Sequence, residues 1–98
     1  MANLYGNFSA KTATESVLNV PANTWTLLPA TAATGRVLVE VNNKGENKIY
    51  FSFDNTAIIK NRFAIGSGET RIFPIQDTLL LYARAHSGSS RVIVIEYR

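Results

Sequence analysis

Lys48-Ile49-Tyr50-Phe51-Ser52-Phe53-Asp54 alternates apolar and polar side chains with a period of two. A β-strand sends successive side chains to opposite faces, so the pattern turns Ile49, Phe51 and Phe53 toward a core and Lys48, Tyr50, Ser52 and Asp54 toward solvent. Asn43-Lys44-Gly45-Glu46-Asn47 precedes it as a turn in which Gly45 suits a positive φ. Before that turn, Arg36-Val37-Leu38-Val39-Glu40-Val41-Asn42 reads as a second strand. It places Val37, Val39 and Val41 on one face, and Arg36, Leu38, Glu40 and Asn42 on the other.

The same chemistry extends in both directions. Residues 16–20 and 24–28 flank Pro21-Ala22-Asn23, a hairpin or corner, because proline presets a turn dihedral and lacks a ladder donor. Residues 29–35, rich in Ala and Thr, form a connecting loop. C-terminal to Asp54, residues 57–60 read as a short edge piece and Phe63-Ala64-Ile65 leads into the turn Gly66-Ser67-Gly68-Glu69. Residues 70–73 form a strand stopped by Pro74. Residues 79–85 and 91–97 are the last two strands, joined by His86-Ser87-Gly88-Ser89-Ser90. No segment carries apolar residues at helical spacing. About eight short strands in one chain predict an all-β fold: a single antiparallel β-sandwich, jelly-roll-like, with a five-stranded open barrel as the alternative. Residues 1–13 show no period and read as an extended N-terminal arm, leaving residues 14–98 as the sandwich domain.

Ninety-eight residues suffice for one domain with one core. Charged residues are only 17% of the chain against 46% hydrophobic, too apolar for disorder. The net charge of +3 is spread along the sequence, unlike a basic nucleic-acid-binding tail. With no cysteine, the chain can have neither a disulfide framework nor a thiolate metal site. The first ten residues lack the basic and apolar regions of a signal peptide, and no window reaches the ~20 apolar residues of a membrane helix. The expectation is a protein made in the cytoplasm without a signal peptide, and without a membrane partner.

Chemistry finds little to work with. The single imidazole, His86, sits in a Ser/Gly turn where no orienting carboxylate is evident. The seven acidic residues lack calcium-loop or zinc-ligand spacing. We therefore expect no catalytic residue, no cofactor and no metal. Glu40 and Glu96, each within an apolar strand, are the two carboxylates to inspect as an acid/base pair. The simpler reading makes them outward charges that discourage edge-to-edge association. Tyr50 beside Lys48, and Tyr82 beside Arg84, would supply aromatic and cationic groups to a single-stranded nucleic-acid-binding barrel, a lesser reading.

Apolar runs are more informative. Val92-Ile93-Val94-Ile95 and Leu79-Leu80-Leu81-Tyr82 are apolar on both strand faces, whereas a two-layer sandwich covers only one face of each sheet. The surplus points to burial against a partner. Candidate partner-binding residues are Leu80, Tyr82, Val92 and Val94 on the strands, and Leu4, Tyr5 and Phe8 on the arm.

Thr34-Gly35-Arg36-Val37-Leu38-Val39-Glu40-Val41-Asn42-Asn43, Lys48-Ile49-Tyr50-Phe51-Ser52-Phe53-Asp54-Asn55, Gly68-Glu69, Leu81-Tyr82-Ala83 and Val92-Ile93-Val94-Ile95-Glu96 together resemble the small β-sandwich virion proteins of tailed bacteriophages, among them capsid decoration or cement proteins. The resemblance runs from about Thr14 to Tyr97. It implies a non-enzymatic subunit on the capsid surface, a homo-oligomer, often a trimer, bound to the major capsid protein or another virion protein. A position in the tail, neck or fibre is the alternative within the same resemblance. It carries no active-site motif over to any residue.

Overall fold

A computed structural model describes residues 12–56, 58–59 and 63–98. Eight strands form: β1 (Ala13–Pro21), β2 (Thr26–Leu27), β3 (Leu38–Asn43), β4 (Ile49–Ser52), β5 (Ala64–Ile65), β6 (Thr70–Phe73), β7 (Tyr82–Ala85) and β8 (Ser89–Tyr97). Among the described residues there is no helix, and hence none long and apolar enough to cross a membrane. One sheet has the order β1-β8-β3-β6 and the other β2-β7-β4-β5, all pairings being antiparallel.

The pairing is nested. First strand joins last in β1·β8, and β2·β7, β3·β6 and β4·β5 follow inward. Folding this long hairpin over itself adds β3·β8 and β4·β7 and produces two four-stranded layers, the jelly-roll arrangement. The antiparallel sandwich expected from the sequence is the architecture observed. Of the alternatives left open at residues 21–23, the corner holds: β1 and β2 lie in different sheets.

The core is the space between the layers. Val39 and Val41 of β3 and Val92 and Val94 of β8 face Ile49 and Phe51 of β4 and Ala83 and Ala85 of β7, all inaccessible or nearly so. Phe51 meets Phe73 edge-on with centroids 5.0 Å apart, a favoured aromatic geometry.

Several sequence expectations change here. Val92 and Val94 are fully buried, so the candidate partner face of β8 is reversed, with Ile93 and Ile95 on the outer side. Strand parity explains the error: Glu96 shares a face with Val92 and Val94, and placing the glutamate in solvent carries both valines outward with it. Phe53 lies beyond β4 and is 43% exposed, whereas Tyr50 and Ser52 are buried on the face assigned to solvent. β7 starts only at Tyr82, so Leu79 and Leu80 belong to a loop. Of residues 57–60, Ile58 and Ile59 form no strand, and Ala57 and Lys60 lie outside the described residues. Gly45 does not have a positive φ; its role is steric, because a Cβ there would fall on Ser90 Oγ and within 2.7 Å of the Arg91 nitrogen. The positive-φ glycines are Gly35, Gly68 and Gly88.

Candidate interaction surface

Pairing register sorts the connections between strands by end. Leu38 is opposite Tyr97, Phe73 opposite Val39 and Ser52 opposite Tyr82, so three connections share one end of the sandwich: residues 28–37, the described residues 53–56 and 58–59, and residues 74–81. Ala13, opposite Tyr97, brings the start of β1 to the same end.

Large apolar side chains concentrate on these loops. Ile58 is 83% exposed, and Phe53, Ile59, Leu79 and Leu80 are each exposed by more than a third. Apart from Val17 at the middle of β1, these five are the exposed large hydrophobic residues among those described. Phe53 is not loosely placed: its ring packs against Phe63 at 5.6 Å and edge-on to Phe73 at 6.3 Å, joining the exposed loop to the core aromatics. The loop begins with a compact turn in which the Asp54 carboxylate accepts hydrogen bonds from the Thr56 backbone N–H (3.0 Å) and hydroxyl (2.9 Å). Those two donors, the backbone one foremost, hold the Asp54 carboxyl below its ordinary value of 3.8.

A buried ion pair fixes the other two loops. Arg36 and Glu96 are each 1% exposed, with Arg36 Nη1 donating to Glu96 Oε2 at 2.8 Å. Arg36 also donates through Nη2 to the Leu79 carbonyl at 2.7 Å and through Nε to the Gln76 carbonyl at 3.3 Å. Glu96 Oε2 accepts the Ala33 N–H at 2.7 Å, and Asp77 accepts the Gly35 N–H at 2.8 Å. Every buried side-chain polar atom among the described residues has a hydrogen-bond partner. The pair thus ties the 28–37 and 74–81 loops to the end of β8 and fixes the backbone that carries Leu79 and Leu80. A guanidinium fork suits this task because its donors diverge in fixed directions.

The acidic pair singled out from sequence separates. Glu96 lies opposite Val39 on the core side of its sheet, while Glu40 lies opposite Ile95 on the outer side. Glu96 is therefore neither an outward charge nor within reach of Glu40. Glu40 instead accepts from Asn42 Nδ2 at 2.9 Å and the Tyr97 hydroxyl at 3.2 Å. The nucleic-acid reading loses its first aromatic platform: Tyr50 is 4% exposed, with Lys48 Nζ 5.3 Å from its ring centroid and its hydroxyl 2.8 Å from His86 Nδ1. Arg84 Nε is engaged with the Ala22 carbonyl at 2.6 Å. No group of three potential metal ligands forms among the described residues.

Of the partner-binding candidates, Leu80 lies on the exposed loop end and Tyr82, partly exposed, begins β7 beside it. Leu4, Tyr5 and Phe8 lie outside the described residues. Sequence reading missed Phe53, Ile58, Ile59 and Leu79 as surface residues. Ile58 and Ile59 did carry a signal, being an apolar pair stranded after the turn-forming Asp54-Asn55-Thr56.

The geometry describes an all-β jelly-roll module with an apolar loop end. No protein-family model matches the chain, and no curated protein matches it either.

Proposed function

We propose that this chain is a structural virion protein, a capsid decoration or cement subunit that oligomerises and binds the major capsid lattice through the apolar loop end. The observation that carries this reading is the grouping of Phe53, Ile58, Ile59, Leu79 and Leu80 on loops at one end of a rigid sandwich. Fully burying one such side chain contributes about 1.5–3 kcal/mol, so a partner that covers three or four of them gains as much as the net stability of many small domains. A lattice repeats that gain at every site. Among the described residues of the loop end, the buried Glu96 carboxylate is spent on Arg36 and the Ala33 N–H, which supports a binding role over a reaction centre. The resemblance to small phage virion sandwiches supports the same assignment.

The test is to purify particles that contain the protein and locate its density by cryo-electron microscopy. Density on the capsid surface in regular copies, with the loop end facing the lattice, is the expected result. Density confined to tail, neck or fibre would move the protein there, and a protein absent from particles would end the virion reading.

A further inference from the structure

The two sheets have four edges, and three of them are short. β2 and β5 have two residues each, and β6 has four before Pro74 stops it. β1 is different, with nine residues in unbroken register against β8, Ala13 opposite Tyr97 through Pro21 opposite Ser89. Natural sheets shield such edges with bulges, lysines or a covering segment. β1 has no bulge and no lysine or arginine, and its only charge is Glu15.

Hydrogen-bond parity shows which groups are open. Thr12 and Arg98 exchange both backbone bonds and Ala22 donates to Gly88, so even-numbered residues of β1 face β8. The N–H and C=O groups of Ala13, Glu15, Val17 and Asn19 point the other way. Among the described residues nothing bonds to them.

From this edge we infer that β1 is a self-pairing strand, joining antiparallel to β1 of a second copy about a two-fold axis through Val17. Val17 is the midpoint of the strand and, at 54% exposure, projects from the outer face. With the axis there, Val17 meets Val17 of the second copy, Glu15 meets Asn19, and Ala13 meets Pro21. No like charges oppose each other, and each Glu15 carboxylate faces an amide donor. Asn19 is already beside Arg91 on β8, which puts a cation on the far side of that amide. Val17 is beside Ile93, so the central row across the joined sheets reads Ile-Val-Val-Ile, β-branched throughout. In this register every open N–H and all open carbonyls but that of Ala13 find partners, giving about eight new backbone hydrogen bonds. Pro21, which has no N–H to offer, closes each end of the ladder. A slip of one residue would turn open groups away from one another; a slip of two keeps their parity but sets Glu15 opposite Val17 or Pro21, so the Glu15–Asn19 pairing selects the axis at Val17. The product is an isologous dimer with one continuous eight-stranded sheet, a two-fold unit in place of the trimer that the family resemblance implies.

The experiment uses the full chain, which has no native cysteine. Sedimentation velocity over a wide concentration range should show a monomer–dimer equilibrium. Val17→Lys should raise the dissociation constant at least about tenfold, because it sets like charges opposite each other at the axis. Val17→Glu should do the same, and mixing the two variants should restore the dimer. Oxidised Val17→Cys should cross-link at least about tenfold faster than Asn19→Cys, because directly opposed Cα atoms about 5.5 Å apart are within disulfide range. Circular dichroism checks that each variant is folded, and Val17→Cys tests the register even if one charged variant is not. A wild-type monomer at every concentration, a trimer, undiminished association of Val17→Lys, or equal cross-linking at residues 17 and 19 would each overturn the proposal. Association lost on deleting residues 1–11 but unaffected at Val17 would assign it to the arm and overturn the proposal as well.

Discussion

Replacing Arg36 with methionine keeps much of the side-chain length and removes the charge and all donors. Glu96 would then be left 1% exposed with only the Ala33 N–H as partner, the Leu79 carbonyl would lose the Arg36 donor, and the Gln76 carbonyl would keep only the Leu79 N–H. Removing one member of a buried pair costs about 3–5 kcal/mol, mostly from the uncompensated charge. A domain of this size has a total stability of roughly 5–10 kcal/mol, so the variant should lose about a third of it or more. Urea denaturation followed by circular dichroism should show that loss, and the melting temperature should fall by at least about 12 °C. Changing Glu96 to methionine as well should recover about 3–5 kcal/mol or more, returning the double variant to wild-type stability or above, because two apolar side chains of suitable volume replace two desolvated charges. The double-mutant cycle would then give a coupling of more than about 2 kcal/mol. If Arg36→Met lies within about 1 kcal/mol of wild type, the pair is not holding the loop end together and this reasoning is wrong.

Gly45→Ala should destabilise by about 2–4 kcal/mol, since its Cβ meets Ser90 and forces apart the Ser90–Asn43 hydrogen bond of 2.7 Å; a neutral result in urea denaturation would contradict the close approach. NMR titration of the Asp54 carboxyl should give a midpoint below 3.8, rising part of the way in Thr56→Ala, which removes the hydroxyl but keeps the backbone donor. Because the folded value is depressed, the stabilisation is present above 3.8 and disappears as pH falls through the folded midpoint; a midpoint at or above 3.8 in wild type would refute the turn's effect. Ile58→Ser together with Leu80→Ser should leave the unfolding midpoint within about 0.5–1 kcal/mol of wild type, both sites being exposed, while lowering occupancy on particles at least tenfold; undiminished occupancy would remove the loop end from the binding account.

The layers of the fold were legible in local alternation and turn chemistry. Val39, Val41, Ile49 and Phe51 are at the core positions their spacing predicts, and the strand over residues 70–73 falls where Pro74 ends it. The loop end was not legible, because what organises it is distant in sequence. Arg36 and Glu96 are 60 residues apart, and neither betrays its partner: a charge in an apolar strand looks like a solvent marker until the opposite charge is brought to it. That one residue then reversed the faces of β8, since alternation fixes relative sides and needs an anchor for the absolute one. Tyr50 failed for a similar reason, its ring being covered by Lys48 and by His86 from a turn 36 residues away.

Nested pairing also bears on how the chain acquires its structure. β1 must wait for β8, whose residues are 68 to 84 positions further along, so β1 is made well before the strand that matches it. Topologies dominated by such distant pairings fold in milliseconds to seconds, slowly for so short a chain. During synthesis β1 therefore precedes its partner and spends the interval with both edges open to pairing with another copy of the same strand. A sequence whose midpoint is a lone valine, with a carboxylate on one side and a proline at the end, limits how many ways those early encounters can go.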